Sequence, residues 1–201
     1  MKRLAILVLC LMIFSACKDN PVTEKIKETR ENVSNAKKAV KEMEDMQKDI
    51  KELQEVEPLT NEDLKAWLPE EINGMKRTGF KAGQMGMMNI ASIEGTYNNE
   101  DKSKRIRVEL IDGAGSFGAT ATASMRLLFS QEFEEEDEYK VKRTTVRNGT
   151  KAIEEYRKNN SRSMVQFMQD DRFYIKVTGT NMNLEETWDA VDALEADELV
   201  N

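Results

Sequence analysis

Catalysis near neutral pH leans on imidazole, thiols and carboxylates, and this chain has no histidine and only two cysteines, Cys10 and Cys17. Triads with an imidazole base are therefore excluded, and no G-x-S-x-G elbow is present. Three other groups could do chemistry. The stretch QMGMMN places Met85, Met87 and Met88 together, and soft thioethers select Cu(I). Against a copper site, Met87 and Met88 would point to opposite faces of a strand, and methionine commonly fills gaps in cores and adaptable surfaces. Gly113, Gly115 and Gly118 in GAGSFG satisfy G-x-G-x-x-G, the spacing of a dinucleotide turn. The strand before it alternates apolar residues with Arg and Glu, unlike the doubly buried first strand of a nucleotide-binding sheet. The glycines read instead as a tight turn into a helix. Carboxylates remain: two acids that meet in a cleft could run a glycosidase-type hydrolysis, but no particular pair stands out. The sequence therefore assigns no catalytic residue, no cofactor and no metal site, with Met85, Met87 and Met88 as the metal candidates to locate.

Cys17 has a different context. Lys2 and Arg3 precede the apolar run Leu4 to Phe14, LAILVLCLMIF, and charge follows at Lys18-Asp19. Eleven residues rise about 16 Å as a helix, short of the about 30 Å of a bilayer core. A basic start, a short oily middle and small residues before a charged run read as an export signal over residues 1–16. A disulfide to Cys10 is implausible because Cys10 lies within that signal. No second thiol or imidazole is at hand for a metal. The stretch Phe14-Ser15-Ala16-Cys17 resembles the lipobox of bacterial lipoproteins, with Phe14 departing from the usual aliphatic residue. The resemblance implies cleavage before Cys17 and acylation of its thiol. Two or more acyl chains make attachment stable, at about 0.8 kcal/mol per buried methylene. Lys18-Asp19 is similar to a lysine-then-acid export tag to the cell surface. What the resemblance implies is a protein of the cell envelope, tethered at the outer membrane on its periplasmic or outer side.

The elements that would position any site divide into two parts. Residues 22–57 contain no glycine and no internal proline. Ile26, Val33, Ala36, Val40 and Met43 form an a/d-like stripe that resumes at Met46, Ile50 and Leu53 after a three-residue skip, a stammer. This predicts one long amphipathic or coiled-coil-like helix, either a stalk, a route to self-association or a helix laid on its own domain. Pro58 ends it. Thr60 with Asp63 predicts a capped short helix. From about residue 75 the period becomes two: Ile106, Val108 and Leu110 face one way in RIRVELID, and Phe173, Ile175 and Val177 do so in RFYIKVTG. Turn signals such as Asn148-Gly149 and Asp170-Asp171 separate antiparallel strands. One helix is expected near Phe117 to Phe129. Another starts at Asn183 with Glu186 three residues on.

Charge is uneven. Gln131 to Glu138 holds six acids and no base, Tyr139 to Lys176 ten bases and four acids, and Val177 to Asn201 seven acids and no base. This is either a surface for a protein or anionic glycan partner or internal pairing of sheet bases with flanking acids. The net charge of -7 argues against nucleic acid as a partner, and export argues against it further. The expectation is an α+β fold: a long N-terminal helix, then an antiparallel sheet with helices packed on one face. Its parts are a signal peptide at 1–16, a lipidated linker at 17–21, the helix at 22–57 and an α+β domain at 58–201. The expected role is non-catalytic binding or scaffolding, with a small-ligand or copper carrier and a carboxylate-dependent hydrolase as alternatives.

Overall fold

The computed structural model describes residues 37, 40, 41, 43–84 and 90–200. The chain divides into two compact units, residues 1–47 and 48–201. Among the described residues a first helix, α1, runs over 43–54. Helix α2 (Asn61–Trp67) starts where Thr60 and Asp63 satisfy each other's backbone N–H groups in a capping box, and it ends just before Pro69, which cannot continue it. Hydrogen bonds to the Thr60 hydroxyl and backbone hold the Asp63 carboxyl below the usual carboxylate range.

Among the described residues there are nine strands, β1 (Glu71–Ile72), β2 (Met75–Gln84), β3 (Ala91–Asn98), β4 (Arg105–Asp112), β5 (Glu134–Glu136), β6 (Lys140–Arg147), β7 (Thr150–Arg157), β8 (Arg162–Gln169) and β9 (Phe173–Thr180). Between β4 and β5 lies helix α3 (Gly115–Ser130). After β9 come helix α4 (Leu184–Asp192) and a 3-10 turn at Ala196–Val200. The sheet order is β1-β2-β3-β4-β9-β8-β7-β6-β5, antiparallel at every step. Two meanders, β1–β4 and β5–β9, are thus joined edge to edge by the β4–β9 pairing. Their tight turns use the residues that tolerate left-handed backbone: Asn73-Gly74 joins β1 to β2 and Asn148-Gly149 joins β6 to β7, all with positive φ.

Alternation assigns the faces. On one, Tyr97, Ile106, Val108, Leu110, Phe173, Ile175 and Val177 form the main core with Leu64 and Leu68 below α2 and Trp188, Ala190 and Val191 of α4. On the other, Phe129 of α3 buries a smaller cluster against Ile153 and Tyr174, flanked by Ile111, Met125 and Met168. Trp188 carries a polar handle that burial obliges it to satisfy. Its indole N–H donates to Glu154, whose other oxygen accepts from Arg143.

Two features of the expected fold are corrected. The long N-terminal helix over 22–57 is not found among the described residues, whose continuous helical run covers 43–54. The stripe that was to hold it together is thin and breaks between Met43 and Met46. Val40 and Met43 on that stripe are each 55% exposed, and an unburied stripe does little to offset helix entropy. The helices also pack on both faces of the sheet, not one. Tyr174 counts as a polar-face residue by alternation, yet its ring is buried beneath α3 and makes a tilted contact with Phe129. A stripe of Phe117, Ala121, Met125 and Leu128 is expected to face inward on α3; Met125 and Leu128 do pack on the Phe129 cluster, whereas Phe117 is 58% exposed and Gly118, Ala119 and Thr122 are buried.

Candidate functional site

Helix α3 covers only part of its face, and beside it, among the described residues, the sheet floor is open. Register pairing lays two rows of side chains across this floor. The row nearer the helix runs Gly83, Ser92, Ile111 and Tyr174 across β2, β3, β4 and β9. The next runs Lys81, Glu94, Glu109 and Lys176 across the same strands, ending at Gln166 on β8. The first row is small at one end, so a hollow of about 430 Å³ opens there, with Met125 of α3 as its side wall. A Cβ added to Gly83 would meet nothing within 4 Å, and the Ser92 hydroxyl turns away to donate to the Gly83 carbonyl. That volume lies in the range of small-ligand sites.

The second row gives the hollow its electrostatics. Glu94 and Glu109 sit directly opposite on neighbouring strands, an unfavourable placement for like charges. Bases flank both: Lys81 and Arg107 beside Glu94, and Lys176 beside Glu109. Lys176 lies 2.5 Å from Glu109 and Arg107 lies 3.8 Å from Glu94, both carboxylates being about one-third exposed. The Arg107 contact is too long for a hydrogen bond, so Glu94 keeps free acceptor capacity. Tyr174 closes the apolar side. Its hydroxyl donates to Gln166, and burial, helped by the charge of Glu109, pushes the phenol up to about 12.

A second, more polar hollow of about 570 Å³ lies near the end of α3, among Arg126, Ser130, Lys151, Asp170 and Asp171. Its charges balance, and Arg126 folds back to donate to the carbonyls of Asp171 and Ala119.

The glycine-rich turn between β4 and α3 holds a structural latch. Asp112 is fully buried and accepts both oxygens' worth of partners: the backbone N–H groups of Leu59 and Ala114, and a two-point contact from Arg172. Arg172 also donates to the Glu57 carbonyl and stacks on Phe173. The backbone passes so closely here that a Cβ on Gly113 would lie 2.5 Å from the Arg172 carbonyl, and one on Gly118 would lie 2.6 Å from that of Asp112. Close approach explains these glycines without a nucleotide.

The other sequence candidates fall as follows. Cys17 and the methionines Met85, Met87 and Met88 lie outside the described residues. Among the described residues no group of three or more Cys, Asp or Glu side chains is placed to hold a metal. The charge runs meet each other: Arg147 pairs with Glu185 and Asp189, Lys158 with Glu136, Lys140 with Glu135, and Lys104 with Glu186. Sequence reasoning missed the apposed carboxylates. Alternation in RIRVELID put Glu109 on a polar face, but nothing local marks Glu94 as its neighbour.

No protein-family model matches the chain, and no curated protein matches it. A solved structure of a GTP binding regulator from Thermotoga maritima aligns over 68% of this chain and 84% of its own, at 13% identity and a TM-score of 0.32. A likeness that slight carries no argument about fold or activity.

Proposed function

We propose that the chain is a lipid-anchored lipoprotein of the bacterial cell envelope whose sheet body binds or scaffolds and does not catalyse. The observation that carries this reading is the placement of Cys17 directly behind the apolar run Leu4 to Phe14, with small residues before it and charge after it. Acyl chains on that thiol hold the body at a membrane surface. Among the described residues no helix is long and apolar enough to cross a membrane. On the body, the open polar floor beside α3 is the surface offered to a partner, a hollow set among paired charges.

The test is expression of the full chain in a bacterial host with labelled palmitate, followed by mass spectrometry of the purified protein. The expected product begins at acylated Cys17 and fractionates with membranes, and Cys17→Ser abolishes both label and membrane association. Recovery of the intact leader with an unmodified thiol would overturn the proposal.

A further inference from the structure

We propose that the floor of the sheet, at the strand ends far from α3, binds an acidic polysaccharide through a row of arginines. The inference rests on reading the sheet body as a binder and is independent of acylation at Cys17.

Register builds the row. Arg105 of β4, Thr180 of β9, Arg162 of β8, Arg157 of β7 and Lys140 of β6 pair in succession. Asn98 of β3 and Lys76 of β2 continue it beyond Arg105. Neighbouring strands are about 4.8 Å apart, so the row extends about 29 Å across the sheet. On β8, β7 and β6 base stands directly opposite base, an unfavourable placement for like charges. Acids answer part of this charge. Glu155 pairs with Arg157 and Glu135 with Lys140, and Glu71 lies opposite Lys76. The centre is left over. Among the described residues the Arg105 side chain donates to the amide oxygen of Asn98 alone, and no carboxylate pairs with Arg162. Both arginines are exposed, as is Thr180 between them. One row inward on β9, Thr178 is 4% exposed and its hydroxyl has no hydrogen-bond partner. It stands opposite Arg107, whose contact with Glu94 is too long for a hydrogen bond. Donors outnumber acceptors here, and a buried orphan hydroxyl is rare enough to call for a reason.

The chemistry of the row selects the occupant. A guanidinium fork grips a carboxylate or sulfate at two points, and Arg105 and Arg162 offer two forks about 9.6 Å apart, two strand spacings. Asn98 and Thr180, the uncharged members, present an amide and a hydroxyl, groups that suit the sugar hydroxyls between successive acids. A protein partner would need an apolar centre, and a bilayer would need apolar side chains beside the bases. No member of the row is apolar. The segment leading back towards Cys17 also joins the body at the other end of β4, where Leu59 donates to Asp112. That end is about 24 Å along the strand from Arg105.

The experiment titrates the full chain in mild detergent with four probes, read by calorimetry. They are a polyuronate oligosaccharide, a neutral dextran of equal length, polyglutamate, and detergent micelles doped with phosphatidylglycerol. The polyuronate is expected to bind tightest, and Arg105→Gln/Arg162→Gln to weaken it at least about tenfold. Lys48→Gln/Lys51→Gln removes the same charge from α1 and is expected to change its affinity less than about twofold. No binding of the polyuronate, equal binding of dextran, or equal losses in the two double variants would each overturn the proposal. Tighter binding of polyglutamate or of the doped micelles would also overturn it, in favour of a protein or a membrane. If the glutamine variant does not fold, Arg105→Lys/Arg162→Lys decides: it keeps the charge but removes the forks. Weaker polyuronate binding is expected there, and full affinity would overturn the proposal. Acylation is read by mass and fractionation, so either proposal can fail while the other stands.

Discussion

At the scale of single residues, Asp112 shows how much one buried charge organises. It ties the segment before α2, the start of α3 and the β8–β9 turn to the end of β4 through four hydrogen bonds. Breaking a buried ion pair by removing one partner leaves the other charge uncompensated, at a cost of about 3–5 kcal/mol. Asp112→Ala is expected to lose stability in that range by urea denaturation, and to cost more than a surface change such as Glu100→Ala. An unchanged urea midpoint would show that the latch contributes nothing. The glycines of the same turn illustrate how far a local pattern reaches. GAGSFG was legible as a turn into a helix. That Gly113 is obligatory was not, because its crowding comes from the carbonyl of Arg172, about sixty positions along the chain.

At the scale of elements, the helix ends were the most legible features. Asn183 accepts from the backbone N–H of Glu186 while the Glu186 carboxylate accepts from that of Asn183, a reciprocal cap readable from their spacing alone. Asn183→Ala is expected to destabilise by about 1 kcal/mol, measured by thermal or urea unfolding. Glu186 also accepts from Lys104, in the turn before β4, and this contact, with the cap, holds its carboxyl below the usual range. A carboxyl lowered on folding adds stability above its unfolded pKa, and that stability is lost as pH falls through the folded value. Acid titration of Lys104→Met should therefore show a smaller acid-induced loss than wild type. The helix stripes were less legible. In α3, alanine and threonine dominate, so no strong apolar stripe set its rotation, and the packing of Phe129 on Ile153 and Tyr174 decided it.

At the scale of the whole molecule, the two meanders form one sheet with buried tyrosines on opposite faces. Tyr97 lies in the main core under α2, and burial, opposed by the nearby Arg77, pushes its phenol up to about 12. Tyr174 lies under α3 and is shifted to the same value. The folded state thus holds these protons above pH 10, where an unfolded chain releases them, so stability falls as pH rises between about 10 and 12. Absorbance of phenolate and far-ultraviolet circular dichroism are expected to change together in that window. Early ionisation of both tyrosines without loss of sheet would contradict their burial.

Composition and order along the chain determined the absence of histidine, the apolar run Leu4 to Phe14 ahead of Cys17, the caps at Thr60 and Asn183, and the alternation that makes β4 and β9 strands. Each depends on neighbours within a few positions, where chain geometry alone dictates who meets whom. The pairing of β4 with β9, the helices on both faces and the opposition of Glu94 to Glu109 were decided only by the tertiary structure. Register brings together residues separated by tens of positions, and alternation says which face a side chain takes but not which strand lies next to it.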